Sequence, residues 1–138
     1  MIDTTFLKKC ISTLEKAYTA LQAHTPEDGL YDIYRAACVK EFELILEQSG
    51  KLLKKRLHPY FSSNRDADKL TFKDIFRYAA KHTLIDIPTC ERWLAYRDNR
   101  NTTAHDYGES FAETTLKLIP NFISDARELS NIITSAHD

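Results

Sequence analysis

"VKEFELILEQSGKLLKKRL", residues 39–57, is the stretch that decides the fold. Its apolar side chains continue a series that starts upstream: Tyr31, Tyr34, Cys38, Phe42, Ile45, Leu46, Leu53 and Leu57. Steps of three, four and seven match the turn of an α-helix and not the alternation of a strand. The spacing predicts one long helix from about Leu30 to about Leu57. It stops before His58–Pro59, because proline pushes the preceding residue out of helical geometry. A long helix with one apolar stripe needs other helices to cover that stripe.

The flanking segments supply them. Upstream, Ile2, Phe6, Cys10, Leu14, Ala17 and Leu21 form a first helical stripe that ends near "HTPEDG", residues 24–29. Downstream, "PYFSSNRDADKL" (59–70) reads as a connecting loop, and Thr71 with Asp74 makes a capping box for "FKDIFRYAAKH" (72–82). Asp86 and Pro88 open a helix through "TCERWLAYRDNRNTTAH" (89–105), and Gly108 marks its end. Ser110 with Glu113 reads as a second capping box, opening a last helix from about Phe111 to about Ala136 that Pro120 should kink or interrupt. The expected fold is all-α, an up-and-down bundle of four to five antiparallel helices in a single domain over residues 1–138.

Composition limits the function classes. The chain has 138 residues, 43% hydrophobic and 28% charged, enough to bury a core. No apolar run approaches the roughly 18 residues of a membrane span, and "MIDTTFLKKCISTLEKAY" (1–18) lacks the pattern of a secretory signal. A cytoplasmic protein with no membrane partner is expected. Cys10, Cys38 and Cys90 are odd in number and far apart, which argues against a disulfide framework and for buried thiols. The five histidines are scattered, so neither a metal nor another cofactor is expected. "QSGK" (48–51) looks like the tail of a phosphate-binding loop, but Ile45 replaces the earlier glycine and Leu52 follows the lysine. Glu41, Glu43 and Glu47 read as a solvated or salt-bridged helix face.

Net charge is −1, but it is unevenly spread. Between Gly50 and His82 nine Lys/Arg face three Asp, a local balance of +6. Such a segment suits phosphates or an acidic partner, and the plainer reading is solvated helix faces. Within it, Lys51, Lys54, Lys55 and Arg56 are candidate phosphate contacts, as is Arg97 further along.

The densest polar run is "RDNRNTTAHDYG", residues 97–108. It contains Arg100, Asn101, His105 and Tyr107 in the order R-N-x3-H-x-Y. Guanidinium binds phosphate oxygens bidentately, and histidine moves protons near neutrality. RNA transesterification needs both: a base for the 2′-hydroxyl and positive charge for the phosphorane. At about 100° per residue, however, His105 falls roughly 140° round the helix from Arg100, while Tyr107 falls nearly on the arginine's face. Either the helix loosens near Asn101–Thr103 or a second subunit completes the site. Asn101, four residues before His105, can orient the imidazole, and Asp98 is a second candidate. The plain alternative is a polar helix end whose Arg and His oppose the helix dipole.

With this motif the chain resembles the HEPN superfamily, and within it the HepT-type toxins, also called nucleotidyltransferase substrate-binding proteins. The family signature is an arginine, a polar residue, then a histidine four to six positions on, often with x-Tyr appended, and "RNTTAHDY" (100–107) matches it. Residues 39–57 are similar to the family's long second helix. The resemblance implies a homodimer with motif helices at a shared cleft, and a metal-independent endoribonuclease with Arg100, Asn101 and His105 as catalytic residues. It makes Lys51, Lys54, Lys55, Arg56 and Arg97 candidate RNA contacts. It also implies an MntA-type nucleotidyltransferase antitoxin that transfers AMP to Tyr107. The alternative is a non-catalytic substrate-binding subunit of a two-chain nucleotidyltransferase.

Overall fold

The computed structural model describes residues 2–102 and 109–135, with side chains described at 2–100 and 109–135. Among these residues the fold is all-α. The helices are α1 (Thr5–Gln22), α2 (Gly29–Leu57), α3 (Asn64–Asp68), α4 (Phe72–Lys81), α5 (Ile87–Thr102) and α6 (Glu109–Thr134). A single 3₁₀ turn, His58–Tyr60, follows α2.

The long helix expected from residues 39–57 is present, and it is the wall on which the bundle is built. It packs against α1, α4, α5 and α6. α1 and α2 are antiparallel, with the Asp3 end of α1 near Lys55 and Cys10 near Glu41. α5 and α6 are also antiparallel: Arg92 meets Asp125 and Asn99 meets Thr115. α2 and α6 run in the same sense, as Tyr31 with Glu113 and Phe42 with Phe122 show. An aromatic cluster ties the halves together. Phe42 and Phe122 lie 4.5 Å apart, Tyr96 packs edge-on to Phe122 at 4.9 Å, and Trp93 stacks on Phe76 at 4.9 Å. Each such buried ring contributes about 2–3 kcal/mol of transfer free energy.

Local chemistry explains the helix ends. Asp28 caps α2 by accepting from the Leu30 N–H at 2.9 Å. Thr71 and Asp74 form the reciprocal capping box expected for α4. The α4 C-terminus closes with the two bonds of a Schellman motif, Leu84 N–H to the Ala79 carbonyl and Thr83 N–H to the Ala80 carbonyl, each 3.0 Å. The residue that must turn left-handed is Thr83, at φ 60°. For a β-branched residue that conformation is costly. Gly50 also has a reason: a Cβ there would lie 2.8 Å from the Phe72 ring.

Four expectations need correction. Phe6 is 50% exposed, and Leu7 and Ile11 fill the core instead, one step round α1. The stretch 59–70 is not all loop: Ser63 caps the short helix α3. Ser110 lies inside α6, so the Ser110–Glu113 capping box does not form. Glu113 accepts from Tyr31 and Arg35 instead, at 2.8 and 2.9 Å. α6 continues through Pro120, so of the kink or interruption expected there the interruption is absent. All three cysteines are buried free thiols, as expected.

Candidate functional site

α5 carries the first half of the polar run. Its position is fixed by a buried carboxylate, Asp125 on α6, which is 4% exposed. Arg92 donates two bonds to it at 2.9 Å, and the Tyr96 hydroxyl donates a third at 2.5 Å. Burial first, and then this hydrogen bond, push the Tyr96 phenol well above its ordinary range. One turn on, Asn99 donates to Thr115 at 3.0 Å. α5 is thus held along one side before it reaches the motif.

Arg100 stands on the last described turn of α5. Its Nε donates to the Glu43 carboxylate of α2 at 2.7 Å, and both side chains are about two-thirds or more covered. Glu43 also lines a groove of about 290 Å³ between α2 and the start of α6. The groove has Arg35 and Lys40 on one side of the charge balance and Asp32, Glu43 and Glu109 on the other, over a floor that includes Val39 and Phe111. Arg35 grips Glu113 at 2.9 Å and pairs with Asp32 at 3.2 Å. That guanidinium, with the Tyr31 hydroxyl, holds the Glu113 carboxyl below its ordinary value.

In sequence Glu43 is one of three acids on a solvated or salt-bridged face. The structure pairs it with the motif arginine, a partner that periodicity within α2 does not reveal because it lies on another helix. Asp98, the second candidate for orienting His105, forms an ion pair with Lys73 of α4. Arg97 lies over the Phe72 ring at 5.2 Å from its centroid. Asn101 is on the helical last turn of α5, and its side chain lies outside the described residues, as do His105 and Tyr107. Helical geometry holds through Thr102.

A family model described as "Nucleotidyltransferase substrate binding protein like" matches residues 4–135. The chain belongs to this family.

A relative from Haemophilus influenzae named "Probable ribonuclease HepT" is 33% identical over 95 residues, covering 69% of this chain and 64% of that protein. The match therefore spans less than two thirds of that relative's length. A solved Haemophilus influenzae structure, described as the fold of a substrate binding domain of a nucleotidyltransferase, superposes with a TM-score of 0.80 at 25% identity. It covers 96% of this chain and 99% of the other. A Thermus thermophilus structure has the same fold, with a TM-score of 0.72 at 19% identity, covering 92% and 98%. The resemblance seen in "RNTTAHDY" and the long second helix is thus borne out at the level of family and fold.

In this substrate-binding-protein family member the basic cluster at the end of α2 is divided. Lys51 and Lys55 are exposed, and Lys54 pairs with Asp68 at 3.4 Å. Arg56 is only 8% exposed, which corrects its place among candidate RNA contacts. It follows Leu53 by three positions and Ser49 by seven, so it sits on the core face of α2. No helix among the described residues is long and apolar enough to cross a membrane.

Proposed function

We propose that this chain, read as one HEPN-like domain over residues 1–138, is a metal-independent endoribonuclease and the toxin of a toxin–antitoxin pair. It acts as a homodimer in the cytoplasm. The observation that carries this reading is the grip of Glu43 on Arg100, which holds a phosphate-binding group at the edge of a groove, in a chain related to a probable ribonuclease. His105 takes the proton of an RNA 2′-hydroxyl, whose oxygen attacks the adjacent phosphorus. Arg100 stabilises the phosphorane charge, and Asn101 orients the imidazole. The P–O5′ bond then breaks, and the leaving oxygen takes a proton from an imidazolium, giving a 2′,3′-cyclic phosphate.

Silencing follows from the same chemistry. An MntA-type nucleotidyltransferase transfers AMP to Tyr107, placing a negative phosphodiester close in sequence to His105 and Arg100. The added charge competes with RNA phosphate.

The test is cleavage of single-stranded RNA by the purified protein in the presence of a metal chelator. Wild type should cleave; His105→Ala and Arg100→Ala should not. Equal inactivity of all three, with Tyr107 unmodified by intact mass, overturns the nuclease reading. It would favour the second one, a non-catalytic subunit of a two-chain nucleotidyltransferase, which the family description supports.

A further inference from the structure

Away from the motif, the end of α2 and the end of α4 meet through a stack of rings. Tyr60 lies on His82 with centroids 4.2 Å apart and planes 17° from parallel. Tyr78 flanks His82 at 4.5 Å and stacks on Phe61 at 4.5 Å, 21° from parallel. The Tyr78 hydroxyl donates to the Tyr60 carbonyl at 3.4 Å. This is not a core cluster: Tyr60 is 41% exposed, and His82, Tyr78 and Phe61 are partly exposed.

The surrounding segment carries the +6 balance of residues 50–82. Its three acids are engaged locally. The Asp66 carboxylate accepts from Ser62 while its backbone N–H donates to the Ser63 cap, Asp68 pairs with Lys54, and Asp74 serves the Thr71 capping box and Arg77. Among the described residues no carboxylate lies within ion-pair distance of Lys51, Lys55, Arg65, Lys69 or Lys81. Exposed Lys81 is next to His82, with exposed Arg77 one turn behind it.

We propose that the Tyr60–His82 stack and the cations beside it form a second RNA contact, where a base of a single strand stacks on Tyr60. Arg77 and Lys81 meet the flanking phosphates. Aromatic faces beside cations are what sequence-tolerant single-strand binding requires, since every base offers a π-face and every linkage a charge. An acidic polypeptide would use the cations but not the rings. The choice of RNA over such a polypeptide rests on the ribonuclease reading; the surface itself does not.

The experiment measures binding of a fluorescein-labelled 12-nucleotide single-stranded RNA by anisotropy, with His105→Ala as the parent so that cleavage does not interfere. Tyr60→Leu should weaken binding about ten-fold or more, while Tyr60→Phe should retain it. Lys81→Glu, on an exposed position, should weaken binding and flatten its salt dependence by about 0.7 in log–log slope for the lost lysine, and further for the added charge. Unchanged affinity in both Tyr60→Leu and Lys81→Glu, with melting temperatures showing folded protein, overturns the proposal. So does equal binding of a poly-glutamate of the same charge. Loss of binding here while wild type fails to cleave RNA would sink the nuclease reading and leave the platform standing.

Discussion

Glu43, midway along α2, accepts from Nε of Arg100 at 2.7 Å and so ties the longest helix to the last described turn of α5. A single ion pair of this partial exposure contributes about 1 kcal/mol or less to stability. Its larger consequence is orientation, because a bond through Nε fixes the guanidinium plane. On the ribonuclease reading Glu43 is a positioning residue. Glu43→Gln should lower kcat on RNA roughly ten-fold with a smaller change in KM, while the urea midpoint barely moves. An unchanged kcat would reduce the pair to a structural contact.

The Asp125 knot predicts a larger effect on stability. Asp125→Ala leaves the buried Tyr96 hydroxyl without its acceptor and removes a bidentate partner from Arg92. A loss of about 2–3 kcal/mol is expected from urea unfolding. Tyr96→Phe, which removes a single donor, should cost about 1 kcal/mol. If the two variants cost the same, the Arg92 bonds contribute nothing.

Thr83→Gly should stabilise the protein. The Schellman closure of α4 needs a left-handed residue, and threonine at φ 60° opposes it. Glycine has no Cβ to clash but has more freedom to lose, and the hydroxyl bond to the His82 carbonyl at 2.6 Å disappears. The expected net gain is about 0.5–1 kcal/mol by thermal or urea melts. A destabilised Thr83→Gly would mean that the hydroxyl bond outweighs the backbone term.

Acid should loosen the junction of α2 and α6. Arg35, and after it Tyr31, hold Glu113 below its ordinary value of 4.5 in the folded protein. A depressed folded value stabilises the fold above the unfolded pKa, and the gain is lost as pH falls through the folded one. The urea midpoint should therefore drop below about pH 4.5 more steeply for wild type than for Glu113→Gln. Parallel curves would show that Glu113 carries no linkage.

The fold is legible where apolar spacing and local caps decide it. The stripe from Tyr31 to Leu57 locates α2 to within a residue at its start, and Thr71–Asp74 marks α4, since both signals lie within a few turns of chain. Two of the failures involve partners distant in sequence. Ser110–Glu113 has the form of a capping box, yet Arg35, 78 residues away, and Tyr31, 82 residues away, claim the glutamate. Glu43 is one of three interchangeable acids in sequence, and only α5, by bringing Arg100 to it, sets it apart. Arg56 is in principle readable, because it shares a face with Leu53 and Ser49, but the charge run around it masks that periodicity. The motif itself is visible as a pattern of residue types, and Arg100 is the member whose side-chain surroundings the structure supplies.

α2 is unbroken from Gly29 to Leu57. Between the carboxylate that holds Arg100 and the turn that carries Tyr60 it advances about 1.5 Å per residue, so the two places stand about 20 Å apart along a rigid rod. A strand engaged at both is measured by that rod. One residue inserted into α2 between Glu43 and Leu57 would lengthen the measure by about 1.5 Å and turn one end by about 100° against the other, changing the phase far more than the length.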